Sequence, residues 1–159
     1  MDAKRLIELL SLEPLSFEGG FFSETYRCAG KLMTEAGERS FSTAIYYMLC
    51  DGEKSRIHRL KFDEVFHFYL GDPVEMFLFK DDGSFERKIL GPGLDKGEEP
   101  QIVVPAGCWQ GARLRAGGKY ALMGTTVSPG FDRRDFELGM REELMDAYPG
   151  NEEVISILT

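Results

Sequence analysis

Three polar residues, His58, Glu64 and Gln110, have the types and spacing that best suit a chemical site in this chain. A carboxylate that faces a protein interior is costly unless it is paired or hydrogen-bonded, so Glu64 needs a polar partner. His58 is the obvious candidate. A histidine and a carboxylate together can take a proton from a substrate and return it, which makes this pair the candidate catalytic group. The alternative is a structural polar pair that does no chemistry.

Strands are the elements that would bring these side chains together. Alternate side chains of a strand point to the same face, so His58 and Leu60 share one face. Glu64 then enters from the next strand, and Gln110 enters just after the turn Pro105-Ala106-Gly107. The sequence therefore predicts that the three polar side chains converge inside one closed sheet.

The residue pattern of the chain is typical of an antiparallel all-β protein. Short runs of Phe, Tyr, Val, Ile and Thr are separated by Gly, Pro and Asp at intervals of about ten residues. Leucines at helical spacing predict one helix over Asp2–Leu12, and short helices are predicted around Pro149. Such a set suits a closed barrel or a double-sheet jelly roll, with a sandwich as the alternative. The predicted strands are Phe21–Cys28, Ser42–Cys50, Ser55–Leu60, Glu64–Leu70, Glu75–Lys80, Phe85–Leu90, Gln101–Val104, Gln110–Arg115 and Tyr120–Val127.

The length and net charge of the chain limit its domain organisation and the kinds of partner it can bind. The 159 residues contain no linker or low-complexity segment, so residues 1–159 are predicted to form one domain. The formal net charge of −8 disfavours nucleic acid, which is bound through clusters of Lys and Arg, and a small-molecule ligand is expected instead. The longest apolar runs are too short to span a bilayer, and the N-terminus lacks the features of a signal peptide. A soluble, cytoplasmic protein with three free cysteines is therefore expected.

The stretch from Gly52 to Gly71 resembles the first motif of the cupin superfamily. In that motif Gly, His-x-His, Glu and Gly follow one another at set spacing, and Gly52, His58, Glu64 and Gly71 fit the pattern. Leu60 stands where the family has its second histidine. The stretch Pro105-Ala106-Gly107 resembles the second motif, in which Gln110 replaces the usual His and Leu114 the usual Asn. The chain is identified on these two motifs as a cupin, which implies an antiparallel β-barrel of the jelly-roll type.

The chain as a whole is similar to a family of small one-domain cupins that share their fold with the deoxysugar epimerases. The resembling segments are EGGFFSETYR (18–27), STAIYYML (42–49), HRLKFDEVFHFYLGDP (58–73), VPAGCWQGARL (104–114) and TTVSPGFDRRDFELG (125–139). The resemblance implies a homodimer with a ligand pocket in each barrel. It brings no assigned reaction with it.

Two functions remain open from the sequence. The first is an isomerase or epimerase that acts on a sugar or sugar nucleotide, with His58 and Glu64 as acid and base. The second is a non-catalytic or regulatory binder of a small molecule, which the missing histidines at positions 60 and 110 favour. A weak divalent-metal enzyme is a further alternative, in which His58, Glu64, Gln110 and waters hold the ion. No metal cofactor is favoured, because standard cupins use three histidines and this chain has only two.

Further residues are expected to contact the ligand. Phe66 and Phe68 share the strand parity of Glu64, and Glu24 and Tyr26 share one face of an early strand. The alternative for Glu24 and Tyr26 is a role toward solvent or toward a second subunit. An aromatic wall suits a sugar or another flat organic ligand, although aromatics also fill most small barrels.

Trp109 and His67 are the two remaining ligand candidates. Trp109 lies at the lip of the second motif, where it stacks on a ligand or belongs to the barrel core. His67 completes a Glu-x-x-His pair with Glu64, but in a strand these two positions face opposite ways. The alternative for His67 is a hydrogen-bonded histidine at a subunit contact.

Overall fold

The structure, a computed structural model, describes residues 2–159. Three α-helices and thirteen strands follow one another along this part of the chain. The helices are α1 (Ala3–Leu9), α2 (Arg141–Ala147) and α3 (Glu152–Leu158). The strands are β1 (Glu13–Pro14), β2 (Phe21–Arg27), β3 (Lys31–Thr34), β4 (Gly37–Ser40), β5 (Thr43–Cys50), β6 (Lys54–Leu60), β7 (Asp63–Gly71), β8 (Val74–Phe79), β9 (Phe85–Leu90), β10 (Gln101–Val104), β11 (Trp109–Leu114), β12 (Tyr120–Ser128) and β13 (Phe136–Leu138).

Two antiparallel sheets make up the body of the fold. The six-stranded sheet has the order β1-β2-β5-β12-β7-β10, and the five-stranded sheet has the order β13-β6-β11-β8-β9. Apolar side chains from both sheets form one core between them, with Tyr47 and Phe66 from the first sheet against Met76 and Leu78 from the second. A separate hairpin of β3 and β4 lies outside both sheets.

Backbone hydrogen bonds link the two sheets along both sides. On one side, the Glu99 N–H, two residues before β10 begins, donates to the Ile89 carbonyl of β9 at 2.8 Å. On the other side, the Arg56 N–H of β6 donates to the Glu18 carbonyl at 3.0 Å, in the loop between β1 and β2. These links close the two sheets into a flattened barrel and leave few free edges.

Helices cover the outer faces of both sheets. Helix α1 begins at its N-cap Asp2, whose carboxylate accepts the Arg5 N–H at 2.9 Å, and it packs Leu6 against the six-stranded sheet. Helices α2 and α3 pack on the five-stranded sheet, where Ile155 and Leu158 are fully buried against its outer face. Burying an aliphatic side chain of this size is worth about 1.5–3 kcal/mol, so these helices stabilise the sheet from behind.

The predicted all-β, antiparallel class with terminal helices is confirmed, and each of the nine predicted strands is present within a few residues. The hairpin β3–β4 and the short strands β1 and β13 were not predicted. They are two to four residues long and carry little of the alternating pattern that identifies a strand. No helix within residues 2–159 is long and apolar enough to cross a bilayer.

Candidate functional site

A cavity of about 480 Å³ opens between the two sheets near β13. This volume is in the range that holds a small organic ligand. Its floor carries ionisable and hydroxyl groups, its walls are apolar and aromatic, and its mouth carries two arginines. The lining residues are Leu15, Phe17, Glu18, Phe22, Glu24, Arg27, Thr43, Ile45, His58, Leu60, Glu64, Thr125, Val127, Phe131, Asp132 and Arg133.

His58 lies on the floor, held on β6 by two contacts. Its Nδ1 lies 2.7 Å from the Arg56 carbonyl oxygen, and its ring stacks on Phe136 at 4.9 Å and 16°. A carbonyl oxygen only accepts hydrogen bonds, so Nδ1 carries a proton, and in the neutral form of the ring Nε2 holds the lone pair. Nε2 lies 3.8 Å from the Glu18 carboxylate. The imidazole is therefore oriented, with its basic nitrogen toward the cavity and an acidic side chain.

Glu64 enters the floor from β7, in the opposite sheet. The side-chain amide of Gln110 donates to its carboxylate at 2.7 Å, and both side chains are buried. Burial raises the pKa of Glu64, as does the nearby Glu18, while His58 and hydrogen bonds from Gln110 and Thr125 act in the opposite direction. The net result is a carboxyl group that holds its proton more tightly than an exposed glutamate.

Glu18 is a floor residue that the sequence did not single out as chemical. It lies in the loop between β1 and β2, where the Ser55 hydroxyl donates to its carboxylate at 2.7 Å. The turn that follows it needs glycine. Gly19 has φ of +115°, and a Cβ there would lie 2.1 Å from the Lys54 carbonyl oxygen. The buried Tyr47 hydroxyl donates to the Gly19 carbonyl at 2.9 Å, which fixes this turn against β5.

The structure brings His58, Glu64 and Gln110 together, but it pairs them differently from the expectation. His58 was expected to be the partner of Glu64. Gln110 instead donates to Glu64, and the imidazole Nε2 faces Glu18. The reason is the register, because Gln110 lies directly opposite His58 across β11 and β6 and so reaches the same point of the interior.

Glu24 lines the cavity, whereas Tyr26 does not share its face. The pairing of β2 with β5 shifts between Glu24 and Tyr26, so Thr25 is an extra, bulged residue. After a bulge, each following side chain of the strand points to the opposite face from the one that regular alternation would give. Arg27 therefore lines the cavity together with Glu24, and Tyr26 points outward and is 53% exposed. For this reason Tyr26 lies outside the cavity lining, and not on the pocket-facing side that was expected.

The three aromatic residues that were expected to contact the ligand, Phe66, Phe68 and Trp109, lie outside the cavity lining. Phe66 and Phe68 point between the sheets, as their parity predicted, but they pack in the core below the cavity. Trp109 is next to the inward-facing Gln110 in strand β11 and so must face outward. It packs against the cluster under α2 and α3, with the Arg59 guanidinium 4.4 Å from its ring. None of these three aromatics is in the cavity wall.

His67 lies on the outer face of the six-stranded sheet. Its Nε2 is 3.1 Å from the Thr126 hydroxyl and its Nδ1 is 2.9 Å from the Gln101 amide. Burial lowers the pKa of His67. His67 is not among the residues that line the cavity, and it lies on the face opposite Glu64, as the parity of the strand predicts.

The residues on the floor do not fit a cupin metal site. Leu60 provides no ligand atom, and Gln110 presents its amide N–H to Glu64, which occupies one of that carboxylate's oxygens. Within residues 2–159, no group of three or more His, Cys, Asp or Glu side chains is arranged to hold a metal ion. The donor set thus offers one imidazole and carboxylates already engaged with protein donors, which is a poor set for a transition metal.

A closed pair of antiparallel sheets with a polar cavity between them defines a cupin-type barrel, the class of fold that supports small-molecule binding. A family model described as "Cupin superfamily (DUF985)" matches residues 4–139. The chain belongs to this family.

Solved structures agree with this assignment. A hypothetical protein from Leishmania major is 34% identical with a TM-score of 0.91, over 100% of this chain and 99% of that one. A protein from Shewanella oneidensis, solved by X-ray crystallography, is 35% identical with a TM-score of 0.91, over 100% and 98%.

A more distant cupin shares only the fold. A cupin 2 conserved barrel domain protein from Rhodopseudomonas palustris is 12% identical with a TM-score of 0.58, over 87% of this chain and 78% of that one. Comparison with curated proteins finds no match.

Proposed function

We propose that this protein binds a small, hydroxylated, sugar-like ligand in the cavity and catalyses proton transfer on it, as an isomerase or epimerase. The observation that carries the proposal is the oriented imidazole of His58. Its Nδ1 is occupied by a carbonyl oxygen at 2.7 Å, and its Nε2 faces the cavity 3.8 Å from the Glu18 carboxylate. A general base needs a free lone pair, a defined direction and a group that stabilises its protonated form, and His58 has all three.

The chemical step follows from these contacts. A proton on a ligand carbon next to a carbonyl moves to Nε2 of His58, and the electron pair of the C–H bond passes to the carbonyl oxygen. The imidazolium that forms is stabilised by the Glu18 carboxylate. Inversion follows when a second acid delivers a proton to the same carbon from the other face, after which His58 and that acid exchange their protons with water. The isomer forms when His58 returns its proton to the former carbonyl carbon, while the hydroxyl proton on the first carbon passes to the enolate oxygen and the first carbon becomes the carbonyl.

Glu64 supplies the second polar group of the proposed site. Because burial and Glu18 raise its pKa, a larger fraction of Glu64 is protonated than of an exposed glutamate, and the protonated form can donate to a ligand oxygen. Gln110 holds it in place at 2.7 Å. Two carboxyl groups in different environments, one beside the imidazole and one deeper, are the arrangement expected of separate acid and base roles.

The walls suit a compact ring. Phe17, Phe22 and Ile45 line the cavity and can pack on the C–H faces of a sugar while the polar floor binds hydroxyl groups. They also keep water from the imidazole, which strengthens its interaction with Glu18.

A second candidate function is binding without turnover. The observation that favours it is the replacement of cupin metal ligands by Leu60 and Gln110, which leaves a pocket with the form of an enzyme site and fewer reactive groups. Solvent exchange distinguishes the two functions.

The experiment is a thermal-shift screen of free sugars, keto sugars and sugar nucleotides, followed by proton NMR of stabilising compounds with the protein in D₂O. We expect one C–H signal next to a carbonyl to be lost as deuterium enters, and we expect His58→Gln and Glu18→Gln to slow this loss strongly. His67→Gln is the matched control, since it changes the only other histidine, on the outer face. Ligand binding with no exchange would reject catalysis and support the binding function. Equal exchange by His58→Gln and the unchanged protein would remove His58 as the base.

A further inference from the structure

Arg133 is a cation without an acidic partner at the mouth of the cavity. Within residues 2–159, no carboxylate oxygen lies within 4.0 Å of its guanidinium, whereas Arg27, Arg39 and Arg134 are each paired with an acid. Arg27 donates twice to Glu24, at 2.9 and 2.6 Å, and Arg134 donates twice to Asp132, at 2.8 and 2.7 Å. Arg133 lines the cavity and is exposed to whatever enters it.

Aromatic rings hold Arg133 in place instead of an acid. Its guanidinium lies 4.4 Å from the Phe17 ring centroid and 4.7 Å from that of Phe136, and it donates to the Phe136 carbonyl at 3.3 Å. Cation–π contacts fix the direction of a guanidinium while leaving most of its N–H donors unused. Such a group is preorganised for a planar or tetrahedral oxyanion.

The acids around the mouth do not cancel this charge. Asp132 and Glu24 are each neutralised by their own arginine, and Glu18 faces Ser55 and His58 on the floor. Of the charged side chains that line the mouth in the described part of the chain, Arg133 is therefore the one with no oppositely charged partner within 4.0 Å.

One aromatic ring connects Arg133 with the proposed base. Phe136 contacts the Arg133 guanidinium at 4.7 Å and stacks on the His58 imidazole at 4.9 Å. Because both groups contact the same ring, the distance between the guanidinium and the imidazole cannot exceed the sum of these two distances. A ligand of a few carbon atoms can span it.

We propose that Arg133 binds an oxyanion of the ligand, a carboxylate or a phosphate, and so selects small acidic or phosphorylated sugars over neutral ones. The proposal deepens the proposed function, because it assumes that the ligand occupies the same cavity. Arg133 is a specificity residue, and it takes no part in the proton transfer.

The direct test needs no sugar. We would follow the arginine Nε–Hε signals of the full-length protein by NMR while titrating acetate or inorganic phosphate against chloride at constant ionic strength, with the Arg133 signal assigned by its loss in Arg133→Gln. Arg59 is the internal control, because it also stacks on an aromatic ring at 4.4 Å but is paired with Glu137 at 2.8 Å and lies outside the cavity. We expect a saturable shift of the Arg133 signal and none at Arg59. Saturation by acetate alone identifies a carboxylate, and saturation by phosphate alone identifies a phosphate. A response at Arg133 no larger than that at Arg59, with both anions, would overturn the proposal.

A second measurement separates this proposal from the proposed function. Calorimetric titration compares glucuronate with glucose and glucose 6-phosphate with glucose, using the unchanged protein, Arg133→Gln and the matched variant Arg59→Gln. We expect the anionic member of at least one pair to bind about tenfold more tightly, and we expect only Arg133→Gln to remove the difference. Equal binding of the neutral and charged sugars would overturn the role of Arg133 and leave the sugar site standing. A saturable anion response at Arg133 with no binding of any sugar would support the anion site and count against the sugar-like ligand.

Discussion

Replacing Glu64 with Gln should stabilise the protein at neutral pH and leave its stability unchanged in acid. An unfolded glutamate loses its proton near pH 4.5, whereas folded Glu64 holds its proton to a higher pH because of burial and the nearby Glu18. Between these two pKa values the folded state binds more protons than the unfolded state, so the free energy of unfolding falls as the pH rises. Gln cannot ionise and avoids this loss.

The magnitude follows from the contacts of the carboxylate. Each tenfold change in proton affinity is worth about 1.4 kcal/mol, so we expect the advantage of Glu64→Gln to grow by up to about 1.4 kcal/mol for each pH unit between the unfolded and the folded pKa of Glu64, and then to level off. The hydrogen bond with Gln110 survives, because the amide oxygen of the new side chain can accept from the Gln110 N–H that now donates to Glu64 at 2.7 Å. The gain should vanish below about pH 4.5, where both forms of the protein are uncharged at this position.

Glu75→Gln is the matched control with the opposite sign. Burial alone would raise the pKa of Glu75, but hydrogen bonds from Arg113, at 2.8 Å, and from Arg87 outweigh it, and the pKa is lowered. Its stabilisation is therefore present above the ordinary glutamate pKa and is lost as the pH falls through the lowered value. Because both arginines are partly exposed, we expect a loss of only about 1–2 kcal/mol at neutral pH, and none in strong acid.

Urea unfolding followed by the fluorescence of Trp109, the only tryptophan, measures both variants across this pH range. The difference between Glu64→Gln and the unchanged protein should grow with pH, and that for Glu75→Gln should become more negative. A Glu64→Gln variant that is less stable at neutral pH, or whose effect does not depend on pH, would refute the placement of this carboxylate in a buried, acid-rich floor.

Two further predictions follow from the structure. Gly19→Ala should lower the free energy of unfolding in urea by about 3 kcal/mol or more, because Gly19 has a φ of +115° and the new Cβ would lie 2.1 Å from the Lys54 carbonyl oxygen. Gly83 also has a positive φ but has open space around it, so Gly83→Ala should lower the free energy of unfolding by only about 1 kcal/mol. Equal losses in the two variants would contradict the predicted clash at Gly19. At about pH 8, iodoacetamide should modify Cys28 before Cys50, because hydrogen bonding from Tyr26 lowers the pKa of Cys28 whereas burial raises the pKa of Cys50 to about 11. Mass spectrometry of samples taken over time gives the order of labelling, and faster labelling of Cys50 would contradict this prediction.

Strand parity accounts for what could be predicted of the site. The pleat of β6 and β7 sends His58 and Glu64 into the interior, and the register of β11 against β6 adds Gln110. These are local rules of backbone geometry, and they hold wherever a strand is regular. The same rule, applied strictly, shows that Trp109 cannot share the face of its neighbour Gln110.

The face of Tyr26 and the roles of Glu18 and Arg133 could not be predicted, because at these positions the backbone is irregular or leaves the strands. The bulge at Thr25 reverses the face of Tyr26, and nothing in the composition of β2 marks it. Glu18 and Arg133 lie in a loop and a short turn, where no periodicity relates sequence to direction. The sequence did carry a signal for Glu18, an acidic residue directly before two glycines, since such a pair indicates a tight turn that fixes the preceding side chain.

The cavity that contains His58 is proposed both to bind the ligand and to be the site of the proton transfer. Long-range proton–nitrogen NMR spectra of the two histidines, recorded with and without the most stabilising sugar of the screen, test it most directly. We expect His58 to have a proton on Nδ1 and the ligand to shift its Nε2 signal, while both nitrogens of His67 stay unchanged. A ligand that shifts His67 and leaves His58 unaffected would place the binding site on the outer face of the sheet, and the proposed site would then be wrong.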